Sequence, residues 1–222
     1  MKIVGISGKI GSGKDYLANK LIIEMNSRNL LVKQTSFAFP LKSEIFTIIQ
    51  IIRKNRNLSY GNIAVLISGA MTMTIPEANM LIDCLYEEVT NDETLDGYSR
   101  TFGIRDSLQK LGTAIRRKHN PSYWTEKFLD YISTLDADLV FVSDARFPNE
   151  MDTVVDNNGY AIRINLTQEV LEKRRSNRDG IIYTPEQLNH ISETALDNYD
   201  RFSVVIGETF DVKELAGRIL EL

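Results

Sequence analysis

Cysteine, histidine and tryptophan are scarce in this chain: its 222 residues include one cysteine, Cys84, two histidines and one tryptophan. A single thiol cannot close an internal disulfide, so a reducing compartment is expected. One cysteine and two histidines also leave no credible zinc cluster. No apolar run approaches the length of a bilayer span, and glycines and lysines interrupt the N-terminal stretch before a signal core can form. The expectation is a cytoplasmic protein without a membrane partner. A net charge of −4 argues against a surface that coats nucleic acid, so any basic site must be concentrated. Cys84 falls into a helical apolar pattern with Met80, Leu81 and Leu85 and reads as a small core residue. Hydrophobic residues at 43% and charged residues at 25% are ordinary for a globular protein, and the length suits one domain, or one domain with an insertion.

Against this plain background one stretch stands out. Residues 8 to 15 read GKIGSGKD, after a short apolar run (Ile3, Val4, Ile6) and before a helical pattern. Gly8 and Gly13 bracket four residues and Lys14 follows, the strand–loop–helix context of a phosphate-binding loop. Glycines let the backbone curl with its N–H groups inward, so Gly11, Ser12, Gly13 and Lys14 can surround an anion at the positive end of the following helix. Lys14 adds a movable charge for β and γ oxygens. Asp15 occupies the position where Ser or Thr would ligate magnesium. A carboxylate beside phosphate needs a cation between them, so Asp15 reads as a direct or water-mediated magnesium contact. The alternative is a glycine-rich turn that only packs a helix against a strand.

Along the rest of the chain, strands are expected near 2–7, 32–39, 138–143, 159–165 and 202–206, alternating with amphipathic helices. Pro40 is placed to open a helix carrying Leu41, Ile45, Ile48, Ile49 and Ile52 on one side. Thr74 and Glu77 have capping-box spacing for a helix to about Val89, and the acidic stretch 87–96 reads as a solvated loop. The stretch RDSLQKLGTAIRRK at 105–118 reads as a helix with Leu108, Leu111 and Ile115 inward and Arg105, Gln109 and Arg116 together on the other side. Asp144 ends the most apolar strand, DLVFVS, where ligands gather in a doubly wound sheet. It is a candidate magnesium carboxylate, or else the cap of the helix that holds Glu150. Arg174, Arg175 and Arg178 form either an exposed basic helix end or a lid over a transferring phosphate.

Five pieces together resemble the deoxynucleoside monophosphate kinases of tailed bacteriophages, a P-loop kinase family also similar to phosphomevalonate kinase. They are GKIGSGKD at 8–15, FAFPLK at 37–42, RDSLQKLGTAIR at 105–116 with Trp124 downstream, SDARFPNE at 143–150 and HISETALD at 190–197. The order matches over most of the chain apart from roughly 55–100. In that family Asp likewise follows the loop lysine. The chain departs at Tyr16, where Thr is usual, and at Phe39, where an acidic residue is common, which touches metal and acceptor contacts.

The resemblance implies a three-layer α/β P-loop kinase fold, with a mostly parallel five-stranded sheet flanked by helices. It implies one domain over 1–222, a helical insertion at about 55–100 and a lid at about 167–195. The implied activity is transfer of the γ-phosphoryl group of ATP to a deoxynucleoside monophosphate with magnesium, giving the diphosphate and ADP for DNA precursor synthesis. The small-molecule substrate would then be the partner, with no nucleic acid bound and a homodimer compatible. A phage origin, and so a host cytoplasm, rests on the resemblance alone.

Under that reading Gly8, Lys9, Gly11, Ser12, Gly13, Lys14 and Asp15 hold ATP, and Asp15 and Asp144 arrange magnesium. Lys42, Arg105 and Arg116 hold the acceptor phosphate, with Gln109 at its base or sugar and Trp124 and Asp144 on the same side. Arg146 reaches either phosphate, and Arg174, Arg175 and Arg178 close last. His190 and Glu193 either contact the acceptor sugar, orient the lid, or form a hydrogen-bonded helix end. The competing readings are another small-molecule P-loop kinase, of phosphomevalonate or dephospho-coenzyme A type, and a nucleotide-dependent switch.

Overall fold

The apolar run at the start of the chain forms strand β1 (Lys2–Gly8), whose interior residues Ile3 to Ser7 are all buried. In the computed structural model, which describes residues 1–177 and 183–221, it is joined by β2 (Val32–Thr35), β3 (Leu139–Val142), β4 (Tyr160–Ile164) and β5 (Val204–Ile206). Every adjacent pair is parallel, and the strand order is β2-β3-β1-β4-β5. The sheet is therefore wholly rather than mostly parallel. β1 is central, and β3 and β4 on either side of it are buried along their whole length, which is why their sequences are almost unbrokenly apolar.

The helices, in chain order, are α1 (Lys14–Ser27), α2 (Phe39–Lys54), α3 (Tyr60–Met71), α4 (Ile75–Asn91), α5 (Phe102–Gln109), α6 (Tyr123–Ser133), α7 (Pro148–Asp156), α8 (Gln168–Ser176), α9 (Pro185–Leu188), α10 (Ile191–Thr194) and α11 (Val212–Glu221). The chain divides into two compact units, one made of Met1–Phe37 and Ile132–Leu222, the other of Ala38–Tyr131.

The first unit contains the sheet. Val4, Ile6, Phe141, Tyr160 and Ile162 on one face pack with Leu17, Leu21 and Met25 of α1 and Leu215 and Ile219 of α11. Gly5 opens the other face to α7, since a Cβ there would lie 2.8 Å from Val154 and 3.4 Å from Met151. Helices on both faces of a parallel sheet give the three-layer α/β architecture. Strand β2 ends at Thr35, short of the expected 39, because the Phe37 amide donates to Asp144 Oδ1 at 2.8 Å and Pro40 starts α2 immediately afterwards. Proline cannot continue a ladder, but it suits the first turn of a helix.

The second unit is helical throughout its described elements, and the 55–100 stretch lies inside it. Its core joins Ile45, Ile48 and Ile52 of α2 to Ile63 and Ile67 of α3, Leu81 and Leu85 of α4, and Ile104, Leu111, Ile115 and Trp124. Thr74 and Glu77 form the capping box that their spacing suggests. Cys84 is half-buried, its Sγ 3.2 Å from Asp106 Oδ2 and from Lys110 Nζ. Burial pushes its thiol up, away from the reactive thiolate.

The stretch 105–118 departs from a regular helix. α5 passes directly into a π-helical segment, Lys110–Arg117. The wider i→i+5 turn changes the angular spacing of side chains. Leu111 and Ile115 still face inward, and Arg105 and Gln109 stay exposed. Arg116 is instead half-buried: it donates to Glu44 Oε2 at 2.8 and 3.0 Å and to the Met71 and Thr72 carbonyls at 2.6 and 3.2 Å. Its guanidinium lies 5.0 Å from the Tyr123 ring, and the Tyr123 hydroxyl donates to Glu44 Oε1 at 2.6 Å.

That network sets a pH dependence. Burial first, and then the bond to Glu44, push the Tyr123 hydroxyl up to about 12. A phenol whose folded pKa exceeds its unfolded value near 10 adds stability that is complete below about pH 10 and is lost as pH rises towards about 12. Thermal melting between those limits should therefore fall less steeply for Tyr123→Phe than for the parent chain. Equal slopes would mean that Tyr123 carries none of the alkaline loss.

Candidate functional site

β1 delivers the glycine loop to the carboxyl edge of the sheet, between the ends of β3 and β4. Gly11 and Gly13 have φ of +87° and +92°, a left-handed conformation that side chains with a Cβ rarely adopt. The curl closes through Ser12 N–H donating to the Lys9 carbonyl at 3.0 Å, and α1 begins at Lys14 with Gly13 as its cap. The Lys14 ammonium turns back over the curl, donating to the carbonyls of Gly8 at 2.8 Å and Lys9 at 3.4 Å. Burial, and next the Arg146 charge, hold its pKa below the ordinary lysine range. The Ser12 hydroxyl is buried and has no hydrogen-bond partner. Such an orphan at the centre of an N–H-rich curl suits an anion with several acceptor oxygens.

Around the loop the first unit gathers most of the residues expected there. Asp15 is exposed at the start of α1, and its Oδ1 accepts from Ser143 Oγ at 2.7 Å, at the end of β3. Asp144 follows, oriented by the Phe37 amide. The α7 N-terminus is closed by Glu150, whose Oε2 accepts from the Arg146 and Phe147 amides at 2.8 and 3.2 Å. Among the described residues no group of three or more His, Cys, Asp or Glu is placed to hold a metal. Asp15 and Asp144 are carboxylates of the kind magnesium takes, one or two at a time, together with waters and phosphate oxygens.

The basic end of α8 also meets the loop. Arg174 donates to the Ser12 carbonyl at 3.0 Å and lies 3.8 Å from Glu208. Arg175 is buried, its Nη2 has no partner, and its side chain fills the space beside Gly11, where an added Cβ would be 2.9 Å from Arg175 Cγ. Arg178 lies outside the described residues.

The 190–197 segment sits on the loop's other flank. Glu193 is buried, accepts from the Ile10 amide at 2.7 Å and pairs with Arg146. His190 caps the short α10, its Nδ1 accepting from the Ser192 amide at 3.2 Å. Asp197 accepts from Lys9 and from Arg163, each at 2.8 Å. Arg163, on β4, also donates to Ser7 Oγ at 2.8 Å and is buried. Neither Arg163, Asp197 nor Ser143 was singled out from the sequence. The signals were a lone charge inside the apolar run YAIRI, and two acids four residues apart in HISETALD.

The remaining candidates belong to the helical unit. Arg105 and Gln109 are exposed on α5, and the Lys42 ammonium lies 4.8 Å from the Tyr98 ring centre. Trp124 is a core residue, 4% exposed, and its indole N–H donates to the Gly112 carbonyl at 3.0 Å. Arg116 lines a cavity of about 690 Å³ within this unit, together with Glu44, Tyr123, Lys127 and the stacked rings of Phe39 and Tyr131, 4.2 Å apart. The volume is that of a small-molecule site.

No family model matches the chain, and no curated protein matches it. Among solved structures, it is similar to one described as the crystal structure of TT1252 from Thermus thermophilus. The likeness covers 99% of this chain and 94% of that one, at 16% sequence identity and a TM-score of 0.43. At that level it bears on neither substrate nor activity. The five-stranded parallel sheet flanked by helices is a three-layer α/β fold, consistent with a P-loop-type domain.

Proposed function

We propose that the chain is an ATP-dependent deoxynucleoside monophosphate kinase that works with magnesium. The observation that carries the reading is the loop: two left-handed glycines, a lysine folded onto the curl and a buried serine hydroxyl without a partner. When bound, ATP would supply the transferable γ-phosphoryl group, and magnesium a positive charge to offset that of the phosphates. Lys14 exchanges its two carbonyl partners for phosphate oxygens, and Arg174 and Arg175 stand beside the curl to neutralise charge. Asp15 and Asp144 would hold the ion. No general base is required, because a phosphate monoester with a second pKa of about 6 is mostly a dianion at neutral pH. The chain's own task is then to position and neutralise, which suits lysines and arginines rather than a histidine relay.

The acceptor assignment rests on the family resemblance and on Arg105, exposed on α5 of the helical unit. Arg105→Ala should lower kcat/KM for the acceptor by about 10- to 100-fold, the worth of a charge-assisted bond, with little change in KM for ATP. Unchanged acceptor kinetics would remove Arg105 from the site. A coupled ADP-release assay across all deoxy- and ribonucleoside monophosphates, with phosphomevalonate and dephospho-coenzyme A as further acceptors, tests the substrate class. Turnover confined to deoxynucleoside monophosphates is expected; preference for either other acceptor would overturn the proposal.

A further inference from the structure

The two acids of HISETALD bond to consecutive residues of the glycine loop, Glu193 from a buried position and Asp197 from an exposed one. Glu193 is 5% exposed, and one of its oxygens accepts from the Ile10 amide at 2.7 Å while the other pairs with Arg146. Asp197, four residues on, places one oxygen 2.8 Å from the Lys9 ammonium and the other 2.8 Å from Arg163. Glu193 is itself fixed, because its own amide donates to the His190 carbonyl at 2.8 Å. A carboxylate buried beside a polyanion site repels the ligand unless its charge is matched. Here each acid is matched by an arginine of the sheet edge.

We propose that Glu193 and Asp197 form a brace that sets the conformation of the glycine loop and holds Arg146 and Arg163 in place, making both acids positioning residues rather than substrate ligands. The inference rests on the triphosphate reading of the loop. Glu193 takes the Ile10 N–H out of service as a phosphate donor and so biases the remaining amides inward. Arg146 is kept next to Lys14, where the two charges already act on each other.

Two variants separate the two contacts of Glu193. Glu193→Ala removes both contacts. Glu193→Gln keeps an oxygen for the Ile10 amide but turns an N–H toward Arg146, itself only a donor. Amide exchange at Ile10, followed by NMR on the full chain without nucleotide, reads the loop contact directly. Binding of a fluorescent ATP analogue with magnesium reads its consequence.

In Glu193→Ala, Ile10 exchange should quicken by at least about 10-fold and affinity should fall about 10- to 100-fold. In Glu193→Gln, Ile10 exchange should stay within about 3-fold of the parent while affinity still falls about 3- to 10-fold. A folded Glu193→Ala with parental exchange and affinity would overturn the brace. If that variant does not fold, parental affinity in Glu193→Gln would overturn it equally. Faster Ile10 exchange in Glu193→Ala in a protein that binds no nucleotide would uphold the brace and refute the triphosphate reading.

Discussion

Replacing Lys14 with alanine is expected to reduce phosphoryl transfer by about a thousandfold or more, with the fold intact. The Lys14 ammonium is held by two loop carbonyls and hemmed in by burial and Arg146, so its charge is poorly compensated. A triphosphate would supply the missing counter-charge at the position where negative charge is redistributed during transfer. The same imbalance gives a pH signature. Because the free-state pKa is lowered and bound polyphosphate raises it, binding should take up a proton on the alkaline side, and affinity should fall as pH rises through the free-state value. Calorimetry in two buffers of different ionisation enthalpy would show that uptake in the parent chain, and Lys14→Ala would lack it. Turnover of Lys14→Ala within threefold of the parent would contradict the donor assignment.

The largest expected loss of stability comes from a position in the helical unit. A Cβ on Gly103 would stand 2.1 Å from the Cys84 carbonyl oxygen and 2.9 Å from the Glu88 carboxylate, so α5 and α4 cannot keep their spacing. Nor can the clash be relieved by a side-chain rotation, since the nearest atom is backbone. The Gly103 amide also donates to Glu88 Oε1 at 3.0 Å, a bond that any separation would stretch. Gly103→Ala should cost about 3 kcal/mol, roughly 6–12 °C in Tm for a chain of this size. Since α5 carries Arg105 and Gln109, acceptor kinetics should suffer with it. Gly69→Ala, at a helix position with nothing within 4 Å, is the matched control and should be neutral or slightly stabilising. Equal melting of Gly103→Ala and the parent would contradict the packing argument.

What the sequence made legible follows the range of the interactions. β1, the glycine curl and α1 can be read locally, because apolar run, left-handed glycines and helix start all lie within a few residues. The Thr74–Glu77 capping box is equally local. The shortening of β2 was not legible, since it depends on Asp144, 107 residues away from Phe37. Arg116 differs for another reason: a regular 3.6-residue period puts it beside Arg105 and Gln109, and the π-helical segment Lys110–Arg117 breaks that period. Trp124 is suggested as a ligand contact by the family motif alone, and it packs in the core of the helical unit with its indole N–H on the Gly112 carbonyl. Arg163 was hidden because a charge inside an apolar strand makes sense only once Ser7 and Asp197 are seen beside it.

A loop that holds a triphosphate should pass its terminal group to a second phosphate. Incubating the chain with magnesium and ATP labelled in its γ-phosphoryl group, together with a deoxynucleoside monophosphate, tests it most directly. The label is predicted to appear in the deoxynucleoside diphosphate as ADP forms. Label released only as inorganic phosphate, or retained in ATP with every monophosphate tried, would contradict the account.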